Sequence, residues 1–293
     1  MWLIAAGLAG IGLIGGLVAR NQIRVFHSRQ ARAEIEERFR AAAASEPRQR
    51  ALAQRRALFE LLQPVALKNC QLERFGEVHD GGYLMCGNLL GNVRAGYSYG
   101  ISNYDKWGCD ISTRFGVTLH QYDCFDTRQP ACSSGKTVFH AECIGPSAAT
   151  IEGRAFDTFS GQFARNGDQF KRIVLKIDVE GAEWDSFLSA PDAVLQGIDQ
   201  LVVEFHWLHE DGGAWLQDEK YLRVVRRLKQ FFEIAHLHFN NGSCIQGLEP
   251  FPAWAYEVLF VSKRLAVVDP ARRASGLHPL DAQNAPSFPD CQP

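Results

Sequence analysis

The chain has no Gly-x-Gly-x-x-Gly run, which argues against a dinucleotide-binding dehydrogenase of the Rossmann type. None of its eight cysteines belongs to a Cys-x-x-Cys pair, so a structural zinc site is not indicated. An even count permits disulfides in an oxidising lumen, and scattered buried thiols suit a cytosolic enzyme equally, so cysteine usage leaves the compartment open. A large excess of one charge is lacking too: the formal net charge is −2. That balance conceals an asymmetry, because ten arginines lie between Arg20 and Arg56 against Glu34, Glu36, Glu37 and Glu46. The rest of the chain is net acidic, which argues against a nucleic-acid groove in its main part.

What is present, 293 residues of which 46% are hydrophobic, suffices for one α/β domain and an appendage. Trp2 to Ala19 carries no charge and is about long enough to cross a bilayer as a helix. Without the basic start of a cleaved leader, residues 1–19 read as a retained transmembrane anchor. Gly12 and Gly16 form a small-residue pair through which two anchors could pack as a homodimer. Arg20, Arg24, Arg29 and Arg32 follow at once. By the positive-inside rule they place the domain on the cytoplasmic face of the membrane, with a Golgi or endoplasmic-reticulum lumen as the alternative. Residues 20–63, rich in Ala, Arg, Glu and Gln, read as a basic helical stalk.

Residues 64–267 read as the main domain, in which strand-like and helix-like stretches alternate. Strands are expected at Tyr97 to Ile101, Val117 to Asp123, Thr137 to Ile144, Ile173 to Asp178, Leu201 to His206, Phe232 to Phe239 and Ala255 to Val261. A Gly/Pro-rich loop joins the last two into a hairpin. The expectation is therefore an α/β fold, with a doubly wound, seven-stranded, mostly parallel sheet and one antiparallel strand. The tail, 268–293, with Pro270, Pro279, Pro286, Pro289 and Pro293, reads as disordered.

Chemistry-bearing residues gather where those strands end. RIVLKIDVEGAEW, Arg172 to Trp184, is an apolar run that stops in Asp178, Glu180 and Glu183 around Gly181. In open α/β sheets ligands bind beyond the carboxyl ends of the strands, so carboxylates there are placed to meet one. They are equally ordinary as caps of the next helix. Gly100 ends the first strand, and Asp123 ends the second roughly 20 positions later, where such folds hold ribose hydroxyls; a helix cap is again the alternative. VVEFHW places Glu204 and His206 on one side of the fifth strand, where a base pair or metal ligation is possible and where burial without a partner is costly. AHLHFNNGSC adds His236, His238 and Asn240, and HDGGYLMC contributes Asp80 in a turn.

In that order HDGGYLMCGN, YSYGISNYDKWGCDIS, LHQYDCFD, LKIDVEGAEW, LVVEFHW and HLHFNN resemble the FkbM-related, methyltransferase-like proteins. The resemblance spans roughly Leu72 to Lys263 and implies a class I, Rossmann-like fold that binds S-adenosyl-L-methionine. It implies that Ser98, Gly100 and Ile101 line the methionine and adenosine side, that Asp123 takes the ribose hydroxyls, and that Asp178 and Glu180 face the sulfonium and the acceptor. It also implies O-methylation of a small polar acceptor, such as a sugar. For that chemistry His206 is the expected base, oriented by Glu204 or Asp178, with His238 and Asn240 holding the acceptor. A divalent metal on Asp178, Glu204 and His206 is a variant, although no metal is required. Where many class I enzymes are glycine-rich after the first strand, this chain reads Asn103-Tyr104-Asp105-Lys106-Trp107. That departure leaves room for a non-catalytic membrane scaffold of the same fold. The anchor, stalk and Asp-Val-Glu strand end also describe a Golgi-type, metal-dependent glycosyltransferase.

Overall fold

Ile173–Ile177 is buried at all five positions, as the centre of a parallel sheet covered on both faces requires. The computed structural model that shows this describes residues 34, 37, 47–206, 218–274 and 277–291. The expected anchor at 1–19, its Gly12 and Gly16 pair and most of the stalk before Pro47 lie outside those residues. Among the described residues no helix is long and apolar enough to cross a membrane.

In chain order the elements begin with α1 (Pro47–Leu62), β1 (Val65–Leu67), β2 (Leu72–Gly76), β3 (Gly82–Cys86), β4 (Ala95–Tyr99) and α2 (Lys106–Phe115). There follow β5 (Thr118–Tyr122), β6 (Lys136–His140), β7 (Cys143–Ile144), β8 (Ala149–Ile151), β9 (Arg154–Asp157) and α3 (Phe159–Arg165). The remainder is β10 (Ile173–Ile177), α4 (Ala182–Ser189), α5 (Asp192–Gly197), β11 (Ile198–His206), α6 (Asp218–Phe231), β12 (Phe232–Phe239), β13 (Ala255–Ser262) and β14 (Val268–Arg273).

The main sheet has seven strands in the order β12-β13-β11-β10-β4-β5-β6. Only β13 runs against its neighbours, pairing antiparallel with both β11 and β12. One apolar layer packs Leu58 and Leu62 of α1, Phe163 of α3, Trp184 of α4 and Leu228 of α6 against one face of the sheet. On the opposite face Trp107 and Ile111 of α2 and Tyr83 and Met85 of β3 pack against Leu119, Val174 and Val202. Helices on both faces make the sheet doubly wound, and β10 and β4 sit at its centre.

Three expectations change. The third strand does not run through to Ile144: β6 ends at His140, and β7 joins β9 and β8 in a separate small sheet. The end of the stalk belongs to the domain, because Leu58 and Leu62 are fully buried against it. The tail is not disordered over its described length. β14 pairs with β1, Asn284 is buried, and Cys291 is bonded to Cys244. All eight cysteines are paired: Cys70–Cys86, Cys109–Cys132, Cys124–Cys143 and Cys244–Cys291.

Candidate functional site

The carboxyl ends of β4, β5 and β10 open into one cavity of about 250 Å³, near the lower bound for a ligand pocket. Gly100, Ser102, Asp123, Glu142, Asp178 and Glu180 line it, and the Cys124–Cys143 disulfide forms part of its wall. The crossover point of the sheet thus carries the cavity, as the topology of open α/β sheets leads one to expect. Two expected members stay outside it. Ser98 is buried on β4, paired in register with Lys176 and Gln121, and Ile101 is buried beneath the loop.

Gly100 has a left-handed φ of +70°, and a Cβ there would meet the carbonyl oxygen of Asp178 at 1.6 Å. Glycine is required because the loop after β10 crosses directly behind it. Asp123 accepts hydrogen bonds from the backbone N–H groups of Ile101 (3.1 Å), Ser102 (2.8 Å), Phe125 (2.8 Å) and Asp126 (2.9 Å). A carboxylate has about four acceptor positions, so this one is filled by the two loops it ties together. No helix directly follows Asp123, so it is not a helix cap; it ties the loop after β4 to the loop after β5, and a free ribose contact is not what its bonds describe.

The other half of the rim is built from β10 and β11. Glu180 adopts a left-handed φ of +54° and Gly181 one of +102°, which turns the chain sharply into α4. The turn brings both carboxylates to the end of β11: His206 Nε2 lies 3.7 Å from Asp178 Oδ1 and 3.5 Å from Glu180 Oε2. Behind the ring stands Glu183, fully buried. Its Oε2 accepts the N–H of Gly181 (2.8 Å) and its Oε1 that of His206 (2.7 Å), and Oε1 lies 3.4 Å from His206 Nδ1. The orienting carboxylate at Nδ1 is therefore Glu183, whereas Asp178 meets the ring at Nε2. Trp184 fixes the strand end by donating its indole N–H to the carbonyl of His206 (2.7 Å).

Glu204, two residues before His206 on β11, accepts from Asn240 Nδ2 at 2.8 Å. His238 Nδ1 lies 3.4 Å from Glu257 Oε2, whose other oxygen accepts from Asn284 (2.6 Å). His238 and Asn240 thus do come to the same end of the sheet, each with a carboxylate partner. His236 instead pairs with Asp281 at 2.9 Å. Asp80 reaches Asn284 at 3.4 Å, so its turn also borders this cluster.

Lys176 and Tyr83 border the candidate site and do not stand out in the sequence as chemistry-bearing residues. Buried Lys176 donates to the carbonyls of Tyr99 (3.2 Å) and Gly100 (2.8 Å), and both its Nζ and the Tyr83 hydroxyl stand 3.4 Å from Asp178 Oδ2. A lone lysine inside the apolar run IVLKI was the available signal.

So many carboxylates in a poorly solvated space perturb one another. Burial, then the charge of Asp178, pushes the Glu204 carboxyl well above its usual range. Burial and Asp178 likewise raise the Tyr83 phenol. Burial lowers His206, but the Glu183 carboxylate beside Nδ1, with Glu204 and Glu180, outweighs it and raises the imidazole to about 10. His238 is raised in the same way, burial being outweighed by Glu257. Strongly perturbed groups converging on one rim are what active sites display. When the chain is compared with family models, curated proteins and solved structures, none matches.

Proposed function

We propose that this chain is an S-adenosyl-L-methionine-dependent methyltransferase acting on a hydroxyl group of a sugar or another small polar acceptor. The observation that carries the reading is a shared wall. Asp178 and Glu180 line the cavity beside Gly100 and also face His206, so a donor site and a proton-accepting site are contiguous. The seven-stranded, mostly parallel sheet with one antiparallel strand supports the class I fold that the resemblance implies. Bound in the cavity, S-adenosylmethionine would supply a methyl group on a sulfonium.

The residues present fit a nucleoside-sized ligand, with one change of role. Asp123 has its lone pairs occupied, whereas Glu142 Oε1 across the cavity carries no hydrogen bond among the described residues. We assign Glu142 the ribose hydroxyls and Asp123 the shaping of the Gly100–Ser102 turn. Methyl transfer is an in-line displacement, so alignment of the acceptor supplies much of the rate. Asp178 and Glu180, with the His206 imidazolium between them, receive the proton of the acceptor hydroxyl, and Asn240 and His238 hold its neighbouring hydroxyls.

A sugar-nucleotide transferase is the second reading, favoured by one observation: Asp178, Glu180 and His206 are spaced to hold a metal ion. Calorimetry on the purified protein separates the two. Binding of S-adenosylmethionine and its demethylated product is expected, and binding of uridine diphosphate sugars with Mn²⁺ in their place overturns the proposal. No detectable affinity for either would favour the scaffold. We further propose that the domain works in an oxidising compartment, since pairing of all eight cysteines is rare where glutathione keeps thiols reduced. That supports the lumenal alternative over the cytoplasmic face.

A further inference from the structure

The three groups at the end of β10 and β11 are under-bonded for their surroundings. Asp178 Oδ1, Glu180 Oε2 and His206 Nε2 lie within 4.8 Å of one another. The His206 side chain is 5% exposed, yet among the described residues its ring makes no hydrogen bond at either nitrogen, and Nδ1 is buried without one. Its Nε2 points between two carboxylate oxygens at 3.5 and 3.7 Å, too far for hydrogen bonds.

We propose that Asp178, Glu180 and His206 bind one divalent cation. An ion about 2.1 Å from each donor holds its ligands roughly 3.0–3.4 Å apart, so the 3.5 and 3.7 Å separations at His206 close onto it with a shift of a few tenths of an ångström. Two carboxylates and an imidazole suit Mn²⁺, Fe²⁺ or Zn²⁺ better than a soft ion, and three protein ligands leave positions open for water or a substrate oxygen.

The surroundings hold the donors in place for such an ion. Metal-bound histidines are commonly backed by a carboxylate on the second ring nitrogen. Glu183 occupies that position, itself fixed by two backbone N–H groups. Asp178 is restrained from the other side, where Lys176 and Tyr83 meet Oδ2 and leave Oδ1 turned to His206. Glu180 is the free arm: its side chain is 80% exposed, and the left-handed backbone at this residue aims it back over the strand end. A strained conformation of a non-glycine residue persists where the surrounding structure enforces it, often at ligand clamps. Charge points the same way. The charges of Glu183, Glu204 and Glu180 act on His206, Asp178 lies 3.7 Å from it, and Lys176 meets Asp178.

The cation site stands on donor geometry and does not depend on which methyl donor or sugar donor the cavity takes. A hydroxyl coordinated in an open position would be acidified by the ion. With the ion bound, all three side chains would serve the reaction as ligands, and the proton would pass to solvent in place of the route through the carboxylates.

The test uses chelator-treated, detergent-solubilised full chain titrated with Mn²⁺ alone, followed by the electron paramagnetic resonance of the free ion. One equivalent is expected to bind. Glu180→Gln, a change at an exposed side chain, is expected to weaken binding at least tenfold with an unchanged melting temperature, and His206→Ala to abolish it. A wild-type chain without saturable binding, or a Glu180→Gln chain less than tenfold weaker, overturns the proposal. Calorimetry with S-adenosylmethionine on the same samples is read separately: Mn²⁺ binding without it sinks the functional reading and leaves the cation site standing, and the reverse result does the opposite.

Discussion

The two halves of the rim differ in how fully their polar groups are used. On the β4–β5 side, Asp123 accepts four backbone hydrogen bonds between 2.8 and 3.1 Å, and the Cys124–Cys143 disulfide follows at once. On the β10–β11 side, His206 meets Asp178, Glu180 and Glu183 at 3.4–3.7 Å, with no hydrogen bond from its ring among the described residues. Polar groups in the first region stabilise the fold, because leaving one of them unmade would cost about 1–3 kcal/mol. Those in the second cost stability while they wait for a ligand, as buried charges without full partners do. The difference separates residues that shape the cavity from residues that act in it.

The largest effects test the second half. His206→Ala is expected to lower methyl transfer by about 10²–10⁴ while the chain stays folded, and Glu204→Gln, which loosens Asn240, to lower it less. Transfer of labelled methyl groups into an extract lacking this protein would show it, and near-full turnover by both variants would remove these residues from the proposed reaction. Gly100→Ala tests the boundary between the halves. Its new Cβ would collide with the Asp178 carbonyl at 1.6 Å in a left-handed backbone, so a stability loss of roughly 3 kcal/mol is expected in denaturant unfolding. A loss under 1 kcal/mol would mean that the strands can move apart there, and the contiguous wall would lose its basis.

A paired substitution sharpens the comparison directly. Asp123→Asn replaces an acceptor oxygen with an amide that faces two N–H donors, at a cost of about 2–4 kcal/mol. Asp178→Asn breaks two long contacts and relieves repulsion among carboxylates, so its stability should stay within about 1 kcal/mol of the parent. Equal losses in urea melts would show that the halves do not differ in kind.

Much of this architecture was legible in the sequence, for physical reasons that also mark where legibility stopped. The β-branched runs at Ile173–Ile177 and Leu201–His206 declared buried strands, and the acidic residues at their ends declared a rim. Lys176 and Glu257 were visible as single charges inside apolar runs, although what they would meet depended on strand order and register. The break after His140 left no mark, since Ala141 and Glu142 suit either a strand or a turn. The tail misled because its prolines suggest disorder. A crosslink between Cys244 and Cys291, 47 residues apart, and bonds from Asn241 to the carbonyls of Ala285 and Phe288 hold it in place, and no local pattern announces them. Glu183 was seen as one of three acids, but only the turn at Glu180 and Gly181 shows that it lies behind the imidazole.

The smallest expected effect lies on the satisfied side. His140 stacks on Tyr122 with ring centroids 4.4 Å apart, and its Nε2 lies 3.1 Å from His120 Nδ1. Burial, then the neighbouring His120 and Arg165, lowers its pKa to about 4. The folded state therefore prefers the neutral ring more strongly than the unfolded chain, whose histidines titrate near 6.5. Stability from this preference is fully present above pH 6.5, falls as the pH drops towards 4, and is exhausted below it. The stated shift caps the contribution at about 3 kcal/mol, and partial solvent screening reduces it to roughly 1 kcal/mol. His140→Phe keeps a ring on Tyr122 and removes the titration, so melting temperatures measured from pH 7 to pH 4 should decline less steeply in the variant. Identical slopes would place the acid sensitivity elsewhere, on the carboxylates of the other half.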